Sequence, residues 1–263
     1  MMFKFNFLFF FLISSILFAK DTLVFAAVPI TNKKNTFKTF YPMIKSLENK
    51  LNKKILFYYS DDYEEILKDF KNSKIDLAYL GPLPYIQLKN DYPFAQLLIN
   101  FKNKENLSTY SCSLVKFLKN ENMKKVALTQ GLSTCGYLSV NSLLNNKLEN
   151  YEYKYLGEHD EVALSIIRGE FDMGGIRTSI IKDYYHLGLE EISRTNNFPG
   201  MALVANAKTL DPVYLNEIKE ILIDIKKDEF SLWGEDIKYG VNKSYDKDYD
   251  EVRTMMKNLI IPK

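Results

Sequence analysis

The chain has 263 residues, of which 46% are hydrophobic and 26% are charged, and its formal net charge is +2 at pH 7. This size and composition fit one large globular domain or two smaller lobes. A net charge so close to zero excludes a broad basic surface for nucleic acid.

The first 19 residues have the pattern of a signal peptide. Lys4 supplies the positive charge, and residues 7–18 form an apolar segment that is too short to span a bilayer. We expect cleavage after Ala19 and export of a soluble mature protein to the periplasm. An uncleaved membrane anchor is the alternative interpretation.

Residues 22–101 alternate between apolar strand patterns and amphipathic helix patterns. Strands are predicted at 22–29, 55–60, 75–80 and 94–101, with a helix between each successive pair. Ser60 and Asp61 are predicted to cap the helix that follows the second strand. This alternation is typical of an α/β sheet with parallel strands.

A polar segment at 103–108 interrupts the pattern, and a second α/β set follows. Its predicted strands are 109–117, 124–129, 151–155, 171–175 and 200–207. Helices are predicted after the Ser-Thr-Cys-Gly turn and at 159–168, 178–186, 211–227 and 247–258. The two sets predict two lobes, because each set is large enough to build its own sheet.

The breaks near 105–110 and 198–207 predict two crossings between the lobes. Lobe one then comprises residues 20–108 and 206–263, and lobe two comprises 109–205. A two-lobed protein with a double hinge binds its ligand in the cleft and closes over it. Open α/β sheets present ligands at the carboxyl ends of their strands, so those turns are the places to search for a site.

The turns at the predicted strand ends collect hydrogen-bond donors. The candidate residues are Tyr63, Tyr110, Ser133, Thr134, His159 and Arg177. Helix N-termini and hydroxyl groups bind anions, and any charge that His159 gained would strengthen the hold on a dianion. Each residue also has an ordinary explanation, such as a helix cap for Ser133 or Thr134 and a solvated helix position for Arg177.

Four segments occur in the order found in the periplasmic phosphonate- and phosphite-binding proteins of ABC transporters, the PhnD-type family. They are "DDYEEILKDFKNSKIDLAYLGPLPYIQL", "LSTCGYLSV", "GEHDEVALSIIRGEFDMG" and "FPGMALVANAKTL". Together they resemble that family over most of the mature chain. The resemblance implies a two-lobed periplasmic binding protein type II fold with two hinge crossings, and a monomer that works with an ABC permease in the inner membrane.

The same resemblance implies roles for individual residues. Ser133 and Thr134 match the hydroxyls that hold the oxyanion from lobe two, while Tyr63, Tyr110 and His159 match the family's ligand-facing side chains. The wall on lobe one would be formed by Leu80, Gly81 and Pro82. The expected function is capture of a small oxyanion of the phosphonate, phosphite or phosphate type.

The chain departs from the family pattern at several positions. Cys135 stands where the family has a third hydroxyl. The carboxylates that bind the amine of aminoalkylphosphonates fall at Ser179 and Met201, with Arg177 nearby. A ligand with a cationic amine is therefore not expected, and tight binding of 2-aminoethylphosphonate would contradict this expectation.

The chain has two cysteines, Cys112 and Cys135, so at most one internal disulfide is possible. Export favours a disulfide between them; two free thiols facing the cleft are the alternative. Its two histidines share no short ligand spacing, so neither a metal site nor a cofactor is predicted.

Two other function classes remain open at this stage. One is a periplasmic sensor subunit that binds an oxyanion such as arsenite or phosphate and signals to a histidine kinase. The other is a thiol-dependent enzyme with Cys135 as nucleophile and His159 as base. The enzyme is the weaker alternative, because no third group that would orient the base can be identified.

Overall fold

The computed structural model describes residues 20–29, 33–119, 123–257 and 259–262, so the predicted signal peptide lies outside the described residues. The strands are β1 (Thr22–Ala27), β2 (Lys54–Tyr58), β3 (Leu77–Leu80), β4 (Ala95–Phe101), β5 (Thr109–Tyr110), β6 (Cys112–Phe117), β7 (Lys125–Thr129), β8 (Glu152–Gly157), β9 (Met173–Arg177), β10 (Leu189–Arg194), β11 (Phe198–Pro199), β12 (Ala202–Asn206) and β13 (Val241–Lys243). The helices are α1 (Lys33–Leu51), α2 (Tyr63–Lys71), α3 (Pro82–Asp91), α4 (Tyr137–Leu143), α5 (His159–Ile167), α6 (Thr178–Ile181), α7 (Pro212–Asp224), α8 (Lys227–Phe230) and α9 (Asp250–Met256).

Lobe one is built on a sheet with the strand order β13-β4-β12-β3-β1-β2. Strand β1 runs parallel to both β2 and β3, as the strand–helix alternation predicts. Strand β12 is inserted antiparallel between β3 and β4. The core of lobe one is strongly aromatic. The ring centres of Phe25 and Phe40 lie 5.2 Å apart, and those of Phe40 and Tyr79 lie 4.8 Å apart.

Lobe two is built on a second sheet with the order β10-β6-β9-β7-β8. Strand β7 is parallel to β8 and β9, whereas β6 is antiparallel to β9 and β10. Separate hydrophobic clusters cover its two faces, one around Ile166 and Ile176 and the other around Leu128 and Val140. The α/β class and the two lobes predicted from the sequence are therefore confirmed.

The two crossings between the lobes pair with each other as the short antiparallel strands β5 and β11. The predicted strand at 109–117 is consequently divided at Ser111, because its first residues pair with the returning segment and the rest pair within lobe two. Gly200 lies where the crossings meet. A Cβ on this residue would stand 2.9 Å from the carbonyl oxygen of Ser108, so no larger residue fits without displacing the backbone.

The predicted lobe boundaries need one correction, and the C-terminal segment makes an additional contact between the lobes. Strand β12 hydrogen-bonds to β3 and β4, so the chain returns to lobe one before Ala202 and not after residue 205. At the other end, Ile261 packs beside Gly131 of lobe two, and Tyr155 donates a hydrogen bond to the carbonyl of Pro262 at 2.8 Å. Residues 259–262, predicted in lobe one, thus contact lobe two.

Local signals explain where several helices begin. Asp211 caps α7 by accepting from the Tyr214 N–H at 2.9 Å, and Pro212 occupies the first helical position, where its missing N–H costs nothing. Helix α2 is capped by Asp62, which accepts from the Glu64 N–H at 2.8 Å. The predicted cap at Ser60 and Asp61 is therefore one or two residues early.

Candidate functional site

A small chamber of about 20 Å³ lies between the two lobes. Eight of the predicted site residues line it: Tyr63, Gly81, Tyr110, Ser133, Thr134, Cys135, His159 and Arg177. Leu80 and Pro82 are buried nearby but do not line it, whereas Pro84 and Met201 do. The predicted wall therefore shifts by a few residues along α3 and gains a residue from the returning crossing.

The loop at 130–136, which joins β7 to α4, contributes three chamber residues. Its turns are closed by hydrogen bonds from Ser133 N–H to Gln130 O at 3.0 Å and from Gly136 N–H to Ser133 O at 2.9 Å. The residue at the cap position of α4 is Gly136, and no side chain caps that helix. The hydroxyls of Ser133 and Thr134 therefore do not cap α4. The alternative interpretation of this motif as a helix cap does not apply to this helix.

Backbone donors add to the hydroxyls on this loop. The N–H groups of Thr134 and Cys135 donate to no acceptor among the described residues. Both residues are almost completely buried, and unpaired buried N–H groups are uncommon in folded proteins. The loop therefore presents hydroxyl and amide donors in one place, which is the requirement for an oxyanion.

A disulfide joins Cys112 to Cys135, with their Cα atoms 5.1 Å apart and both side chains buried. Cys112 begins β6, so the bond fixes loop 130–136 to the start of this strand of the lobe-two sheet. The Cys135 sulfur therefore provides no thiol donor at the position where the family pattern has a hydroxyl.

Lobe one contacts the same loop through specific hydrogen bonds. The Leu83 N–H donates to the Thr134 hydroxyl oxygen at 3.1 Å. The Gln130 side chain donates to the Asp61 carbonyl at 2.7 Å and accepts from the Tyr63 N–H at 3.2 Å. These bonds hold the lobes in contact around the chamber.

The proline residues of α3 limit what this helix can offer. Pro82 and Pro84 have no N–H groups, and the Leu83 N–H is already bonded to Thr134. Gly81 has no side chain, and a Cβ there would stand 3.6 Å from the Thr134 hydroxyl and 3.7 Å from that of Tyr110. Helix α3 therefore shapes the chamber but adds little hydrogen bonding.

Two tyrosines supply the donors from outside the loop. The Tyr63 hydroxyl interacts with Ser133, and the Tyr110 hydroxyl interacts with Thr134. Burial raises the pKa of both phenols above its usual range. Both side chains therefore remain protonated at physiological pH and can donate to an anion.

His159, the first residue of α5, reaches the chamber as a neutral imidazole. Its Nδ1 atom accepts from the Arg177 N–H at 3.2 Å, which places its ring proton on Nε2. Burial, assisted by the nearby Arg177 charge, lowers the pKa of His159 to about 3. The gain of charge considered from the sequence is thus opposed by the surroundings of the ring.

Arg177 brings positive charge to the chamber from the end of β9. Its guanidinium lies 5.1 Å from the centre of the Tyr110 ring, and one terminal nitrogen is 3.8 Å from an Asp236 carboxylate oxygen. Its Nε–H is buried and has no acceptor among the described residues. Burial tends to lower the pKa of Arg177, but Tyr79, Asp236, Tyr110 and Tyr63 together outweigh this effect and raise it.

A second cavity of about 500 Å³ adjoins the chamber and opens towards the solvent. The two spaces share Tyr110, Arg177 and Met201 as common wall residues. Ser179 lines only the larger cavity. The site therefore consists of a compact inner chamber and a roomier outer space.

No group of three or more His, Cys, Asp or Glu side chains that could hold a metal ion occurs among the described residues. None of the helices in the same part of the chain combines the length and the hydrophobicity of a membrane span.

Comparisons with known proteins show the family to which the chain belongs. A family model described as "ABC transporter, phosphonate, periplasmic substrate-binding protein" matches residues 25–249. The phosphate-import protein PhnD of Mycolicibacterium smegmatis is 23% identical over 274 residues, which cover 89% of this chain and 84% of the relative.

Two solved structures share the fold at low sequence identity. A PhnD protein of Prochlorococcus marinus in complex with methylphosphonate superposes with a TM-score of 0.78 at 16% identity, over 90% of this chain and 97% of that chain. The binding component of an ABC phosphonate transporter from Pseudomonas aeruginosa gives 0.74 at 15% identity, over 89% and 85%. The architecture is that of a type II periplasmic binding protein, and the chain belongs to the family of periplasmic substrate-binding proteins of phosphonate ABC transporters.

Proposed function

We propose that the chamber binds the head group of a small phosphorus oxyanion, of the phosphonate, phosphite or phosphate type. The observation that carries this proposal is the composition of the chamber wall. Hydroxyls, a neutral imidazole and a guanidinium converge there, and no described carboxylate lines the chamber. Charge-assisted hydrogen bonds from such donors are the strong ones, and they require an anion.

The relatives supply the candidate ligands. The Mycolicibacterium protein is described as a phosphate importer, and the Prochlorococcus protein binds methylphosphonate. In this chain Ser133, Thr134, Tyr63, Tyr110 and His159 would donate to the oxygens, while Arg177 would balance part of the charge. The lobes would close over the bound anion, because contacts to both lobes favour the closed state.

The proposal includes export to the periplasm, action as a monomer, and delivery of the ligand to an inner-membrane ABC permease. The family model favours this role over a sensor subunit that signals to a histidine kinase. Binding is also favoured over thiol catalysis, since the Cys135 sulfur is held in a disulfide and is not a free nucleophile.

The test is titration calorimetry of the mature protein with methylphosphonate, phosphite, phosphate, arsenite and sulfate. At least one phosphorus oxyanion should bind, and Ser133→Ala should weaken it roughly 10- to 100-fold, since a hydrogen bond to a charged group contributes about 1.5–3 kcal/mol. Ser142→Ala is the matched control, because Ser142 is exposed on the adjacent helix. Binding of arsenite alone, or equal affinity in Ser133→Ala and wild type, would refute the assignment.

A further inference from the structure

We propose that the preferred ligand carries a second acidic group on a short substituent, and that Arg177 binds this group where the chamber meets the outer cavity. A phosphonate with a nearby carboxylate has this chemistry. The inference rests on the proposed function and adds the substrate class to it.

The relative sizes of the two spaces give the first step. The chamber, at about 20 Å³, is far smaller than the outer cavity, so only the compact end of a ligand fits the chamber. The chamber adjoins the outer cavity at Tyr110, Arg177 and Met201, so a substituent that extends into that cavity passes these residues. Beyond them, about 500 Å³ is available. The group attached to the head therefore passes Arg177 first.

The distribution of charge gives the second step. Among the charged side chains of the described residues, Arg177 alone borders both spaces. The other charged side chains at the site line only the outer cavity. They include both carboxylates and cations, namely Glu105, Asp183, Glu235, Asp236, Lys102, Lys104, Lys182 and Arg194. A short substituent thus meets a guanidinium before it can reach any carboxylate.

The hydrogen bonding of Arg177 gives the third step. Its buried Nε–H has no acceptor among the described residues, and its contact with Asp236 is long at 3.8 Å, with that carboxylate 38% exposed. A guanidinium pairs best with a carboxylate through two parallel N–H···O bonds. A carboxylate on the ligand would supply the missing acceptor and would compete with Asp236.

Other substituents fit this position less well. A cationic amine two or three bonds from phosphorus would lie beside the guanidinium, and Ser179 and Met201 offer it no carboxylate. A purely apolar group would leave the buried Nε–H without an acceptor, which is costly. An acidic group satisfies both the charge and the hydrogen bond.

The experiment compares three probes by calorimetry: methylphosphonate, phosphonoacetate and 2-aminoethylphosphonate. Wild-type protein should bind phosphonoacetate about tenfold or more tightly than methylphosphonate, as expected for an added charge-assisted pair, and 2-aminoethylphosphonate most weakly. This ranking needs no variant, so a folding defect cannot obscure it.

Variants then locate the effect. Arg177→Met should abolish the preference for phosphonoacetate, measured as the ratio of the two Kd values. Lys182→Met, which removes a cation lining only the outer cavity, should preserve it. Asp236→Asn should increase the preference, because it removes the competing carboxylate.

The outcomes separate this inference from the function on which it rests. Equal affinity for methylphosphonate and phosphonoacetate, or equal losses for both in Arg177→Met, would overturn the inference and leave the phosphonate-binding function standing. A preference for 2-aminoethylphosphonate would also overturn it. Failure of the wild type to bind any phosphorus oxyanion would overturn the proposed function itself.

Discussion

The Thr134 hydroxyl of lobe two accepts a hydrogen bond from the Leu83 N–H of lobe one at 3.1 Å. Both residues are buried, so the bond is shielded from water. Thr134 therefore has two functions in the proposed mechanism: its oxygen joins the lobes, and its proton is directed to the anion or to Tyr110. Closure and ligand recognition are combined in one side chain.

Replacing Thr134 should affect both functions. Thr134→Val keeps the shape but removes the hydroxyl, leaving the Leu83 N–H without its acceptor at a cost of about 1–3 kcal/mol. We expect weaker ligand binding and faster hydrogen exchange at the Leu83 amide, measured by NMR or by exchange mass spectrometry. Thr134→Ser is the control, since it keeps the hydroxyl. Unchanged exchange in the valine variant would show that this bond does not hold the lobes together.

The disulfide between Cys112 and Cys135 should contribute to both stability and affinity. The cysteines are 23 residues apart in sequence, and cross-linking a loop of this length contributes about 3 kcal/mol in the chain-entropy model. The double variant Cys112→Ala/Cys135→Ala should melt at lower temperature and bind the ligand more weakly, because loop 130–136 loses its attachment to β6.

The redox dependence distinguishes the disulfide from a packing effect. A strong reductant should lower the Tm of the wild type and leave that of the double alanine variant unchanged. Titration of two free thiols in the native protein under oxidising conditions would contradict the bond.

Much of this site could be predicted because its residues belong to local sequence signals. Ser133 and Thr134 follow a buried strand and precede a helix, and His159 starts another helix after β8. Strand ends converge at one edge of an α/β sheet, so residues scattered along the chain can be brought together by topology alone.

The remainder depends on long-range contacts that leave no local signal. Met201 lines the chamber because the second crossing between the lobes passes beside the chamber. Pro84 lines it because α3 is oriented towards loop 130–136. The pairing of β12 with lobe one is likewise invisible in its apolar sequence, which would suit either sheet. Strand β10 is not predicted from the sequence, because charged residues interrupt its apolar pattern at this edge position.

His159 should make the protein less stable in mild acid. Its pKa is about 3 in the folded state and near 6.5 in the unfolded chain, so between these values the unfolded state binds a proton that the folded state does not. Stability is therefore fully present above pH 6.5 and falls as the pH is lowered, by about 2 kcal/mol at pH 5 from this group.

Urea unfolding at pH 7.5 and pH 5, without added ligand, measures this effect. His159→Gln should show a smaller loss of stability between the two pH values than the wild type. His186→Gln is the matched control, because His186 is exposed on the surface of lobe two. An identical pH dependence in wild type and His159→Gln would mean that the folded protein accepts the proton after all.

Two glycines, Gly131 in loop 130–136 and Gly175 packed against it, should differ in their response to substitution by alanine. A Cβ on Gly175 would stand 2.2 Å from a Val140 methyl and 2.5 Å from the Cys135 carbonyl oxygen, so Gly175→Ala must displace the loop that carries the site. Overpacking of this kind costs about 1–3 kcal/mol of folding free energy, and the ligand affinity should fall as well.

A Cβ on Gly131 would meet its nearest neighbours at 3.5–3.7 Å, which is ordinary contact. Gly131→Ala should therefore change the free energy of unfolding by less than about 1 kcal/mol, as expected where alanine fits. Thermal melts and calorimetry on both variants test the pair, and comparable losses in the two would show that loop 130–136 does not depend on close packing against β9.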